Sequence, residues 1–164
     1  MKKTYFVVGV FIILSAALSL FFVKVEVLGI YTNQELSRIF ELEEGEGFTI
    51  SWTHSVEKET WEEMFVIEDR SIKLTATRFK TFGAGVPNDT GEETFLKDGW
   101  VYMTGISQRI GKQLAIRTGK STNHTVMYGK DTILSLESQK AYQIKVQKVP
   151  LGQYIAIHWR GEEK

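Results

Sequence analysis

The sequence predicts an all-β domain, a sandwich or barrel, preceded by one N-terminal transmembrane helix. Three observations lead there. Short segments alternate apolar and polar residues, as in Phe48-Thr49-Ile50-Ser51-Trp52 and Tyr142-Gln143-Ile144-Lys145-Val146, and a period of two marks a half-buried strand. Turn pairs such as Asp69-Arg70 and Asp98-Gly99 recur between these segments, as they do in antiparallel sheets. Residues 5–23 carry no charge.

That uncharged run comes first. As a helix it measures roughly 28 Å, close to the hydrocarbon thickness of a bilayer. Ala17-Leu18-Ser19 offers a small-residue cleavage site, but Leu20-Phe21-Phe22-Val23 continue the apolar run past it. An uncleaved anchor is therefore favoured over a signal peptide. Lys2 and Lys3 precede the run, so the positive-inside rule keeps them cytoplasmic and sends the remainder across. The expected division is an anchor at residues 1–24 and an extracytoplasmic domain at residues 25–164.

Of the 20 basic residues, Lys2, Lys3 and Lys24 belong to the anchor, which leaves 17 against all 20 acidic residues in the domain. A weakly acidic domain lacks the basic face that nucleic acid requires. The chain has no cysteine, which excludes disulfides, thiolate catalysis and cysteine-based zinc sites.

Strands are expected in order. Val25, Val27 and Tyr31 open the domain, and Gln34 to Phe40 reads as a short helical turn or a strand. Glu41 to Gly47 is a solvated loop, followed by the Phe48 and Trp61 strands. Ile72, Leu74 and Ala76 follow the Asp69-Arg70 turn, and Trp100 to Met103 follow Asp98-Gly99. Leu114 and Ile116 mark a further strand. His124–Tyr128 and Ile133–Leu136 form a hairpin around Gly129-Lys130-Asp131. Tyr142, Ile144 and Val146 alternate. Pro150-Leu151-Gly152 turns the chain into a last strand holding Ile155, Ile157 and Trp159, which leaves His158 facing solvent. No amphipathic helix is expected outside the anchor.

The polar chemistry gathers between Phe48 and Glu63. Phe48, Ile50 and Trp52 share the inward parity, and His54 continues it. On the return segment Glu63 shares parity with Trp61, Phe65 and Ile67. Both His54 and Glu63 then point inward near one end of the core. A buried carboxylate must be paired, hydrogen-bonded or protonated, and His54 is the expected partner. Such a pair is either structural or a ligand or metal site at the mouth of the core. A second unusual stretch is Phe82-Gly83-Ala84-Gly85-Val86-Pro87. Its glycines permit either an anion-binding nest or a tight crossing between sheets. Ser55 next to His54 is no triad, since neighbouring strand residues point opposite ways. No His-Glu-x-x-His, phosphate-binding loop or Gly-x-Ser-x-Gly elbow occurs. No catalytic residue, metal or cofactor is assigned.

His54-Ser55-Val56-Glu57, Glu62-Glu63 and Phe82-Gly83-Ala84-Gly85-Val86-Pro87 resemble the signature of a bacterial family, the domain of unknown function 1850. The resemblance runs from about Val25 to the C-terminus, with Trp52 where tyrosine is expected. It implies an envelope accessory to TAXI-type TRAP transporters, which import small organic anions. It makes His54, Ser55, Glu57, Glu62, Glu63, Phe82, Gly83, Gly85 and Pro87 the candidate site. The expected function is a membrane-anchored binding or interaction module with a small-molecule ligand and a transporter subunit as partner. The alternatives are an envelope hydrolase or metal-dependent enzyme centred on His54 and Glu63, and a purely structural envelope protein.

Overall fold

The computed structural model describes residues 2–42, 45–81, 91–129 and 132–162. Helix α1 (Lys2–Phe22) precedes twelve strands: β1 (Lys24–Thr32), β2 (Glu35–Glu41), β3 (Gly47–Thr53), β4 (Thr60–Glu68), β5 (Ser71–Phe79), β6 (Glu93–Lys97), β7 (Trp100–Thr104), β8 (Gln108–Gly111), β9 (Gln113–Arg117), β10 (Thr125–Tyr128), β11 (Thr132–Ser135) and β12 (Ala141–Pro150). Helix α2 (Leu151–Glu162) follows them. The strands form two antiparallel sheets. The smaller has the order β2-β1-β12-β9, and the larger β11-β10-β3-β4-β5-β7-β6 with β8 paired to β5.

Local chemistry sets the hairpins. The Asn33-Gln34, Asp69-Arg70 and Asp98-Gly99 pairs all have positive φ at both residues. Two such residues twist a hairpin in the same sense as its strands. Inward residues of both sheets fill the space between them. Leu28, Ile30, Ile144 and Val146 from the smaller sheet meet Phe48, Ile50, Phe65, Ile67, Ile72 and Met103 from the larger. Phe48 stacks on Phe65 with ring centroids 4.9 Å apart.

Gly47 is required where β3 begins. A Cβ there would lie 2.5 Å from the carbonyl oxygen of Phe65, closer than van der Waals contact permits. Gly47→Ala should therefore destabilise the fold by about 1–3 kcal/mol, the usual cost of overpacking. Chemical denaturation of Gly47→Ala beside the wild type reads the loss.

One expected strand is a helix. Ile155, Ile157 and Trp159 belong to α2, which also supplies an amphipathic helix where none was expected. Tyr154 and Ile157, three residues apart, pack on a small second core of Val27, Ile39 and Val149, while Ile155 and Trp159 are exposed. The alternation in the sequence therefore records two apolar faces of one helix. His158 stacks on Tyr154 with ring centroids 5.7 Å apart, the neighbour one helical turn away. Gln34 to Phe40 resolves as turn and strand. The edge strand β6 was not expected either, and all its residues are exposed.

Candidate functional site

Strand pairing arranges the inner face of the larger sheet into transverse rows, because directly opposed residues share a face. One row reads Trp52, Trp61, Phe79 and Val101 across β3, β4, β5 and β7. His124, the residue before β10, extends it. Its ring stacks on Trp52 at 5.8 Å and 9°, and Trp52 stacks on Trp61 at 5.8 Å and 17°. Trp61 meets Phe79 at 4.9 Å in a tilted contact. The result is an aromatic ridge across four strands. The Trp61 indole N–H donates to Thr77 Oγ1 at 2.8 Å, and the Thr77 hydroxyl donates to the Glu62 carbonyl at 2.8 Å. His124 Nδ1 lies 2.8 Å from the Thr122 hydroxyl.

The next row toward the core reads Val126, Ile50, Glu63, Thr77 and Met103. Its other members are buried, and every polar atom of the Thr77 side chain is used. Glu63 differs. Its carboxyl has no hydrogen bond or ion pair among the described residues, and burial pushes its pKa above the ordinary value. A register shift between Met64 and Phe65 follows it immediately, an irregularity of the kind that re-aims side chains beside binding sites. Burial also pushes the His124 imidazole down, toward its neutral form.

His54 occupies the opposite flank of the ridge. Its backbone N–H donates to the Glu59 carbonyl at 2.8 Å, which adds one more rung beyond the Thr53–Thr60 pair. The ring tilts against Trp61 at 5.6 Å. Its Nδ1 accepts from the Glu57 backbone N–H at 3.3 Å, so a neutral ring carries its proton on Nε2.

His54 and Glu63 thus share a face, as parity predicts, but they are not partners. The Trp52–Trp61 rung lies between them, and Glu63 is four residues along β4 from Glu59, roughly 13 Å at strand spacing. No hydrogen bond or ion pair joins the two. The expected pairing is corrected: a histidine and a carboxylic acid flank an aromatic ridge from opposite sides.

The other sequence candidates separate. Ser55 is exposed and Glu57 half-buried in the β3–β4 loop. Glu62 lies on the outer face of the sheet, where Arg78 Nε donates to its carboxylate at 2.6 Å. The Arg78 guanidinium also donates to the Tyr102 hydroxyl at 2.8 Å and lies 4.4 Å from the Trp100 ring centre. Phe82, Gly83, Gly85 and Pro87 lie outside the described residues. Thr81, immediately before them, lines a hollow with His54, Glu57, Trp61, Phe79 and Lys80. Sequence reading missed His124, Trp61 and Phe79 as parts of the site. For His124 a signal existed, because it shares parity with Val126 and Tyr128.

Chemically, the rings of the ridge pack against one another. Glu63 offers a carboxyl that donates a proton when neutral and accepts hydrogen bonds when ionised. No group of three or more metal-ligating side chains occurs among the described residues.

No curated protein and no solved structure matches the chain. The sequence model of a family described as Domain of unknown function (DUF1850) matches residues 48–134. This span is narrower than the one expected from Val25 onward. It takes in strands β3 to β10 and most of β11, hence the aromatic ridge, Glu63 and the glycine-rich stretch, and leaves α1, β1, β2, β12 and α2 outside. The match covers more than half of the chain, and the protein belongs to the DUF1850 family.

Proposed function

We propose that this protein is a membrane-anchored binding module whose ligand site lies around Glu63 and the aromatic ridge, and that it serves a transporter of small solutes in the same membrane. The observation that carries the site is Glu63: a carboxyl in a core-facing row, partly desolvated and without a partner among the described residues. Such a group weakens a fold unless something offsets its desolvation. A ligand that hydrogen-bonds the acid supplies that offset. The anchor reading rests on α1, whose residues Lys3–Phe22 are long and apolar enough to cross a membrane and are not buried by the rest of the chain. The transporter partner rests on the resemblance noted above.

Two experiments test the reading. An alkaline phosphatase fused after Lys164 is expected to be active, because Lys2 and Lys3 precede the uncharged span. A stable but silent fusion puts the domain in the cytoplasm and removes the envelope role. Affinity purification of the full chain from its own membrane is expected to retain a transporter subunit. Recovery of the chain without one removes the accessory role and leaves the binding site standing.

A further inference from the structure

One side of α2 begins against the end of α1. The Leu151 N–H donates to the Val23 carbonyl at 2.8 Å. A Cβ on Gly152 would lie 3.2 Å from the Leu20 carbonyl oxygen, so the two helices touch where α1 ends. Gly152, Ile155 and Trp159 share one side of α2 by their i, i+3, i+7 spacing. The other side is already used, with Tyr154 and Ile157 packed on the domain.

Trp159 is 72% exposed and Ile155 39%, and on α1 Phe21 and Phe22 are exposed at 74% and 76%. Tryptophan and isoleucine exposed in this way lose apolar contact that a neighbouring lipid phase would supply. Lys24 is exposed at the same junction, where a lysine meets phosphate headgroups. Tryptophan favours that level of a bilayer, since its ring is amphipathic.

We infer that α2 lies in the membrane interface with Ile155 and Trp159 dipped among the lipid headgroups. It fixes the domain against the bilayer that α1 crosses. The partner is therefore the lipid surface, and the inference rests on the anchor reading of α1. With α2 seated, the domain cannot swing freely on its anchor, and its orientation relative to the bilayer is set.

The chain has no cysteine, so single cysteines take a unique label. Ile155→Cys, Trp159→Cys and Gln153→Cys variants of the full chain, each carrying an environment-sensitive fluorophore, are reconstituted into phosphatidylcholine–phosphatidylglycerol vesicles. Gln153 is exposed on a different side of α2. Blue-shifted emission at 155 and 159, quenched by lipids spin-labelled near the headgroup, is expected, with water-like emission at 153. Water-like emission at all three positions overturns the inference. A blue shift that disappears as protein is diluted into excess lipid also overturns it, since a second copy of the chain then covers the face. Alkaline carbonate extraction of the same vesicles separates the two readings. Chain that stays in the membrane but shows water-like labels refutes the α2 placement alone, whereas chain that washes out refutes the anchor as well.

Discussion

Trp61→Ala is expected to destabilise the protein by about 3 kcal/mol, the lower end of the usual cost of truncating a large buried aromatic, because Trp61 packs against the core but is only partly buried. Three losses combine. The alanine gives up the stack on Trp52, the contact with Phe79 and the contact with His54, each aromatic pair being worth about 0.5–1.5 kcal/mol beyond area burial. It removes the donor that satisfies the Thr77 hydroxyl oxygen, at a site that is only 3% exposed. It also opens the row above Glu63 to water. Trp61→Phe isolates the second loss and is expected to cost about 1 kcal/mol for the hydrogen bond. Thr53→Ala at the end of the same hairpin keeps its backbone bond to the Thr122 carbonyl and is expected to change stability by about 0.5 kcal/mol or less. Chemical denaturation of the three variants gives the ranking. Equal losses at residues 61 and 53 contradict the ridge.

Glu63→Leu is expected to act in the opposite direction. At neutral pH it should stabilise the unliganded protein, by less than the roughly 1–3 kcal/mol of a fully buried unsatisfied polar group, since Glu63 is only partly buried. The sign follows from linkage. A carboxyl whose folded-state pKa is raised favours the fold most below its ordinary value of 4.5, and that contribution is lost as pH rises through the folded value. The advantage of the leucine variant should therefore shrink as pH falls toward 4.5. His124 acts with the other sign. Its lowered pKa costs stability as pH falls below 6.5, in both proteins alike, so it cancels from the difference. Unfolding curves of the pair across pH read this directly. A leucine variant that is less stable at neutral pH means that Glu63 supports the fold.

Parity made much of the larger sheet legible. Phe48, Ile50 and Phe65 are buried on the face where the alternation put them, and Glu63 shares that face. Parity does not number rungs, however. The sequence placed His54 and Glu63 on one side of a sheet without revealing that Trp52 and Trp61 stand between them, because register depends on where the hairpin closes. The β3–β4 loop takes up residues 54–59, and that sets the count. His124 escaped notice for a similar reason, as β10 is far from β3 in sequence and only the sheet order brings its ring onto Trp52. The Asp69-Arg70 and Asp98-Gly99 turns were readable from their residues. Asn33-Gln34 was not, since glutamine is an uncommon carrier of positive φ. Over the few residues from Tyr154 to Trp159, an alternating pattern and a helix with two apolar faces look alike, and only the second core beneath α2 decides between them.

The proposed site turns on Glu63: we propose that the acid is kept for a ligand, against the interest of the fold. Native mass spectrometry of the full chain purified from its own membrane tests that most directly, with Ser55→Ala, exposed in the β3–β4 loop, as the neighbouring control. The wild-type protein and Ser55→Ala are expected to carry a low-mass solute that Glu63→Leu lacks although it is folded. A Glu63→Leu spectrum carrying the same solute at the same occupancy as the wild type would contradict the account.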